Sequence, residues 1–427
     1  MCEPTPSKPK PLKKALFFCL LFCLVTLLPS FAQTKLTGVV LDKKTNTPLP
    51  FASVSLKKAT IGTATNDKGE FEMLVPDGST ADSLLFHYLG YHSQGYALSN
   101  YKNGTVTKLE PQSFNLKEVV VRPLPPTHYI LMAMRNIKNN YPNKPFQSLG
   151  YYREKIWENK QPIGDAEAVF KSYYPNYSTK TKSQHQLELY RKGKIEELKF
   201  IRKKIDKDIA KERKKALKKG ETVDDRELAE MLELGGPETI LQMDFIRDTE
   251  AFLDSNNFKK FDYKFGPSTI FQGKEVMVIE FDAKRTVDHQ KQKGKVYLEN
   301  YSYAIVSIEY ASSIVVPLLA KPVLFAMGYD VESPQYRKKY FYREIDNRWY
   351  PDYFHVEGSV TLTKRHLFDS NEEADFRVEQ FFSISKTETT GAIAIPEPKR
   401  YSSKKAFEDQ IQTDPGIDWG KVNTIKK

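Results

Sequence analysis

Residues 36–78, LTGVVLDKKTNTPLPFASVSLKKATIGTATNDKGEFEMLVPDG, decide the fold of the N-terminal part of the chain. Apolar and polar residues alternate in Ala52–Leu56 and again in Phe71–Val75, which is typical of half-buried strands. The intervening Thr65–Gly69 contains Asn, Asp and Gly, the residues that favour a hairpin turn. Short strands at this spacing predict a small β-sandwich.

With LLFHYLGY at 84–91, this stretch resembles the carboxypeptidase-like regulatory domain. The resemblance rests on G-V-V-x-D at 38–42, P-L-P-x-A-x-V at 48–54, the hairpin turn and the Gly-Tyr pair at 90–91. It implies a seven-stranded transthyretin- or Ig-like sandwich over residues 33–121. Such a domain is found in Gram-negative envelope proteins, including ahead of TonB-dependent receptors. It implies no catalysis, because the domain is a non-catalytic accessory.

Residues 1–32 read as a signal peptide. Four lysines precede the apolar run Ala15–Leu28, and the small-x-small site Ser30–Ala32 follows it. A lipoprotein signal at Cys19 or Cys23 is the alternative. All three cysteines lie in this segment, so the processed chain would have no disulfide, thiol nucleophile or thiolate metal site. We therefore expect an exported protein of the periplasm or the outer-membrane periphery.

The end of the sandwich has two interpretations. The residues concerned are Leu116, Glu118, Val119, Val120 and Val121. They resemble the stretch near the box that TonB engages in receptors, where a partner would add a strand to an exposed edge. Alternatively they form the last strand of the sandwich, followed by a Pro-rich linker at 122–127.

Residues 128–390 predict a larger β-rich domain. A helix is expected over Thr127–Asn140, with Thr127 as its N-cap. Aromatic-rich strands follow at about 148–157, 163–174, 258–265, 275–283, 293–299, 303–311, 336–346, 349–363 and 376–387. Their order with short turns favours an antiparallel meander. This part is similar to the β-rich domains of unassigned function that accompany the regulatory domain, and in strand plan to the half-barrel of periplasmic lipoprotein carriers. Residues 391–427 are expected to be a polar tail.

One apolar segment inside this domain suggests a ligand. The stretch 314–327 is too short and too rich in proline to span a membrane. It reads either as a buried connection or as an apolar flap over a lipid-holding half-barrel. The flap residues would be Ile314, Val315, Val316, Leu318, Leu319, Val323, Leu324 and Phe325.

The positive charge of the chain is concentrated in one insertion. The formal net charge is +11, yet residues 191–219 alone hold 14 basic and 5 acidic residues. Helical spacing of the apolar residues predicts an amphipathic hairpin at about 191–235, either solvated or in contact with an anionic surface. The contact residues would be Arg202, Lys203, Lys204, Lys207, Lys211, Arg213, Lys214 and Lys215. Nucleic acid is not expected as a partner of an exported protein.

No catalytic constellation stands out in the sequence. His185-Gln-Leu-Glu188 matches the His-x-x-Glu pair of metallocarboxypeptidases, but a third ligand is not evident and such pairs arise by chance. No metal or other cofactor is expected. The sequence therefore favours a non-enzymatic envelope protein that binds an apolar ligand or a partner. The alternatives are a hydrolase with residues dispersed on loops and an accessory partner of an outer-membrane complex.

Overall fold

The computed structural model describes two β-rich modules. The residues it describes are 33–58, 60–76, 78–79, 82–112, 123–179, 181–193, 218, 236–314, 329–332, 334–365, 371–402, 405, 407–412 and 417–426. None of the helices in these ranges is long and apolar enough to cross a membrane.

The N-terminal module is the predicted seven-stranded sandwich. Its strands are β1 (Gln33–Asp42), β2 (Ser53–Leu56), β3 (Gly62–Ala64), β4 (Glu70–Pro76), β5 (Ser83–His87), β6 (Gln94–Ala97) and β7 (Thr105–Leu109). One sheet has the order β4-β1-β7 and the other β3-β2-β5-β6, with β1 and β7 parallel. Its core is a cluster of side chains that includes Val40, Phe71 and Phe86, all with no exposed surface.

The second module is built on one twelve-stranded sheet, preceded by helices α1 (Pro126–Arg135) and α2 (Ile137–Asn140). Its strands are β8 (Phe146–Glu158), β9 (Gln161–Tyr174), β10 (Gln184–Lys192), β11 (Phe261–Phe265), β12 (Thr269–Phe271), β13 (Lys274–Ala283), β14 (Gln290–Glu299), β15 (Ile305–Ile314), β16 (Tyr329–Val331), β17 (Gln335–Ile345), β18 (Arg348–Lys364) and β19 (Glu372–Glu388). A short helix α3 (Glu238–Gln242) and a 3-10 helix (Ser255–Lys260) lie between β10 and β11.

The sheet is antiparallel and open, and it departs from a simple meander at one point. Its order is β10-β9-β8-β19-β18-β17-β15-β14-β13-β11, so the last strand pairs with β8 and joins the two halves. The chain ends β10 at one edge and begins β11 at the other. Residues 236–260, the longest described part of the connection between them, cross one face of the sheet.

Cross-strand pairing separates the two faces of this sheet. Tyr152, Phe382, Phe354 and Tyr340 are directly paired neighbours, so they share one face, which we call the inner face. The residues next to them in sequence point to the opposite side because strand side chains alternate. This outer face carries Phe381, His355, Lys339 and Glu309, again as direct cross-strand pairs.

The crossing segment 236–260, which we call the strap, fills much of the inner face. Phe252 stacks on Phe281 with ring centroids 3.9 Å apart, and Phe245 contacts Tyr340 at 3.8 Å. Asp244 anchors the strap below these rings. Its carboxylate accepts hydrogen bonds from Tyr177 and Tyr342 and pairs with Arg247 at 3.3 Å. Burial raises the pKa of Asp244, and the Arg247 charge opposes that shift.

Several local predictions differ from the structure. The first helix begins at Pro126 with Pro125 as its N-cap, because proline has the φ that suits a first turn, so Thr127 is not the N-cap. Arg191 and Lys192 are not helical, since they belong to β10, a strand that the sequence analysis missed. The expected polar tail also carries buried apolar residues, including Ile395 and Ile425.

The tail covers the free edge of β10. The backbone N–H groups of Tyr401 and Gln412 donate hydrogen bonds to the carbonyls of His185 and Leu187. Further along, Asn423 and Lys426 bond to the sandwich at Leu74 and Asn66. The tail thus provides hydrogen-bond partners for the free edge of β10 and links this strand to the N-terminal module.

The sandwich docks on the outer face of the large sheet. Ser53 donates a hydrogen bond of 3.0 Å to Asp352, which also pairs with Arg343 at 3.6 Å. Backbone groups add to the interface, because Thr387 N–H donates to the Thr60 carbonyl at 2.9 Å. The two modules therefore form a continuous contact rather than two separate bodies on a linker.

Candidate functional site

A cleft of about 520 Å³ lies between the sandwich and the outer face. Two sandwich turns, at Pro50–Phe51 and Tyr88–Leu89, form one wall, and the segment 267–269 closes the side. The Gly90 N–H donates to the Ile270 carbonyl at 3.0 Å, which holds the second sandwich turn against this segment. A volume of this size is within the range of small-ligand sites.

The floor of the cleft combines aromatic and charged rows. Tyr353, Phe341 and Tyr297 form the aromatic row of the floor. Beside it runs a cross-strand row of polar side chains in the order His355, Lys339, Glu309, Lys295. Burial, followed by the Glu309 carboxylate, raises the pKa of Tyr297, so its hydroxyl stays protonated as a hydrogen-bond donor. The cleft can therefore hold a ligand that has both an apolar part and ionic groups.

Phe51 is the wedge that separates this cleft from a second one. Its ring centroid lies 5.2 Å from that of Phe381 and 4.6 Å from that of His355. The second cleft, of about 220 Å³, is lined by the sandwich turn at Asn66–Lys68 and by Glu379 of the sheet. Phe51 has φ of +60°, a strained value for a residue with a side chain, so its packing holds an unfavourable backbone conformation in place.

His355, Glu357 and Glu379 converge beneath this wedge. Each offers one ligand atom, and these atoms all lie within 4.8 Å of one another, an arrangement that could hold a metal ion. His355 Nε2 is 3.1 Å from Glu379 Oε1. That hydrogen bond lowers the pKa of Glu379, which keeps its carboxylate ionised. Sequence reasoning missed this group, although His-x-Glu on an alternating strand was a visible signal.

The inner face offers a different, apolar feature beyond the strap. A polar junction marks the border, where Glu154 accepts hydrogen bonds from the Gly236 N–H at 2.6 Å and from Gln380 at 2.8 Å. On the far side the inner-face residues are apolar and partly exposed. They are Ile156, Tyr336, Val360, Leu362 and Val378, next to the buried Phe376. The space among them is small, about 40 Å³.

Most residues that the sequence singled out lie outside the described residues. Those outside are the basic contact residues 202–215, the edge-strand residues 116–121 and the flap residues 315–325. Ile314 is the one flap residue that the structure describes, and it ends β15. The predicted signal peptide and its cysteines are also outside them. These interpretations stay predictions.

The His185–Glu188 pair belongs to β10. The two ring nitrogens of His185 lie 2.8 Å from Ser172 Oγ and 3.0 Å from Ser183 Oγ. Burial lowers the pKa of His185 to about 3. A neutral imidazole with both nitrogens bonded to serine hydroxyls is a satisfied core residue.

The comparisons with known proteins identify the N-terminal module. Residues 36–121 match the CarboxypepD_reg-like domain. The predicted regulatory domain is therefore confirmed, and a β-rich module follows it. No curated protein sequence matches the chain.

Solved structures resemble the chain only remotely. A LolA superfamily protein from Nitrosomonas europaea is 8% identical with a TM-score of 0.27, over 64% of this chain and 96% of that one. A DUF1329 family protein from Desulfovibrio piger is 9% identical with a TM-score of 0.23, over 63% and 95%. Lipovitellin, solved to show its lipid–protein interactions, is 8% identical with a TM-score of 0.25, over 60% and 26%. TM-scores this low carry no argument about a ligand.

Proposed function

We propose that this chain is an exported, non-enzymatic binding protein of the cell envelope, whose site is the cleft between its two modules. The cleft itself is the observation that carries the proposal, because it joins aromatic side chains to a row that contains both lysine and glutamate side chains. The ligand that fits is a small amphipathic molecule with both apolar and ionic groups. The regulatory domain and the predicted signal peptide support the envelope location.

Native mass spectrometry of protein purified after export tests this proposal. Lys339→Glu reverses a charge in the floor, and Lys144→Glu makes the same change at an exposed position that does not line the cleft. We expect a co-purifying small molecule on the wild type and on the control, and its loss or replacement in the Lys339 variant. Equal occupancy in all three proteins would reject the cleft as the site.

An apolar ligand at the far end of the inner face is a second candidate. The partly exposed cluster around Val378 and Val360 favours it, and the predicted flap begins at Ile314, where β15 ends. Val360→Glu should abolish binding of a fluorescent fatty acid, whereas Thr363→Glu, on the opposite side of the same strand and away from this space, should not. No binding by the wild type would remove this candidate.

A hydrolase is the alternative class, and the convergence of His355 with two carboxylates is the observation that favours it. These residues lie on strands rather than on the loops that the sequence analysis expected. Turnover of a chromogenic ester that disappears in His355→Ala would support the hydrolase. Turnover unaffected by that change would assign it to a contaminant.

A further inference from the structure

We infer that His355, Glu357 and Glu379 form a binding site for a divalent transition-metal ion at the junction of the two modules. The inference does not depend on the ligand proposed for the cleft. It rests on strand geometry, on the chemistry of the three donors, and on the open space beside them.

The strand register brings the three side chains to one place. His355 and Glu357 are two residues apart on β18, so both point to the outer face. Glu379 is the direct cross-strand partner of Glu357 on β19. Side chains of directly paired residues have Cβ atoms about 5 Å apart. Two residues of one strand and one of its neighbour thus form a triangle on a rigid part of the sheet.

The distances suit metal coordination. Bonds of about 2.1 Å to nitrogen and oxygen place neighbouring ligand atoms ~3.0–3.4 Å apart. His355 Nε2 and Glu379 Oε1 are already 3.1 Å apart. The third ligand atom lies within 4.8 Å of both, so a rotation of the Glu357 side chain completes the set. One imidazole and two carboxylates suit Zn²⁺ or Mn²⁺.

The triangle combines two carboxylates with cationic neighbours, with which a metal ion must compete. Glu357 and Glu379 are like charges in a directly opposed pair, which is unfavourable. Lys155 and Arg337 flank the pair on the next strands, and Arg377 reaches within 3.8 Å of Glu379. These long side chains balance the pair when no metal is bound. They can turn to solvent when a metal neutralises it.

The position of His355 gives independent support. Its side chain is only 5% exposed, yet it lines the cleft together with Glu357. Phe51 covers the ring from the sandwich side. A bound ion would therefore have three protein ligands and an open direction toward the cleft. It would also fix His355 against Phe51, which couples metal binding to docking of the sandwich.

Isothermal titration calorimetry with Zn²⁺ and with Mn²⁺ tests the site. The protein should be untagged, chelator-treated and free of Cys2, Cys19 and Cys23, because thiolates and affinity tags bind metals. We expect one ion per chain for the wild type. His355→Ala and Glu379→Gln should each weaken binding at least about tenfold. His92→Ala, an exposed histidine, and Glu372→Gln, an exposed residue of the same strand β19, should bind as the wild type does.

Thermal unfolding distinguishes the loss of a metal ligand from a failure of the variant to fold. Glu357→Gln removes a ligand without touching the His355–Glu379 hydrogen bond, so this variant should fold normally and lose the metal-induced rise in Tm. A wild type that binds neither ion would overturn the inference. So would binding that is unchanged in His355→Ala and Glu357→Gln, because the ion would then reside elsewhere.

Discussion

At the scale of single residues, Phe51 carries more of the interface than its sequence context suggests. It stacks on Phe381 and contacts His355 and Tyr353, although it sits in a turn with φ of +60°. Removing a buried Phe side chain costs about 3–5 kcal/mol, and Phe51 is only partly buried. We expect Phe51→Ala to lower the free energy of unfolding by about 2 kcal/mol.

Urea unfolding checks this value, and limited proteolysis reports whether the sandwich has loosened from the sheet. Val106→Ala on β7, at a side chain that is 49% exposed, is the control and should change stability by less than about 0.5 kcal/mol. A Phe51 variant as stable as this control would show that the wedge does not hold the modules together.

Buried His185 makes stability depend on pH. Its folded pKa is lowered to about 3 by burial, whereas an unfolded histidine titrates near pH 6.5. Between these values the unfolded chain binds more protons, so stability falls as the pH falls from about 6.5 toward 3. The slope due to His185 is up to about 1.4 kcal/mol per pH unit.

Urea unfolding between pH 4 and 7 measures that slope. His185→Gln should flatten it, while His92→Gln, at an exposed position, should leave it unchanged. The same slope in His185→Gln and wild type would mean that His185 is not the buried neutral group. Burial, and to a smaller extent the charge of Arg343, lowers the pKa of His87 to about 4. His87 therefore adds a contribution of the same sign to the pH dependence of stability.

At the scale of elements, the strap is the part that converts an open sheet into a packed core. Phe252 has no exposed surface and stacks on Phe281. We expect Phe252→Ala to cost about 3–5 kcal/mol, because the sheet beneath is rigid and cannot close the cavity. Ile393→Ala, at a side chain that is 75% exposed, should cost less than about 0.5 kcal/mol in the same urea experiment. A small change in the free energy of unfolding of Phe252→Ala would mean that the packing of the strap does not stabilise the inner face.

The elements themselves could be predicted well where the pattern is local. All nine predicted strands of the second module exist, because alternation and turn residues mark each of them, although residues 258–260 of one belong to the 3-10 helix. The short strands β12 and β16 were not predicted. β10 was missed because Leu187, Glu188 and Leu189 interrupt the alternation at a bulge. The pairing of β8 with β19 also escaped prediction, since nothing local specifies a partner more than two hundred residues away.

The candidate site could not be predicted for the same reason. His355 and Glu357 are two residues apart on one strand, but Glu379 joins them only through the register of β18 and β19. The cleft depends further on where the sandwich docks, which side chains such as Phe51 and Asp352 decide. Sequence reasoning identified the regulatory domain but had no means of placing it on the sheet.

At the scale of the whole molecule, the C-terminal tail acts as a clasp, meaning that it holds the β10 edge and the sandwich together. It bonds to the β10 edge through Tyr401 and Gln412 and to the sandwich through Asn423. A chain truncated after residue 394 should therefore expose an edge strand, lower the Tm and associate into larger species. Size-exclusion chromatography with light scattering measures this. A monodisperse truncated protein with unchanged Tm would contradict the clasp.

Binding of a small amphipathic ligand between the modules is the proposed role of the molecule. Site-specific photo-crosslinking in cells that export the protein tests it most directly. A benzophenone amino acid at Leu89 lies in the cleft wall, and the same group at Tyr301, which is 84% exposed outside the cleft, is the control. We expect a defined small-molecule adduct at Leu89 and none at Tyr301. No adduct at Leu89, or the same adduct at both positions, would contradict it.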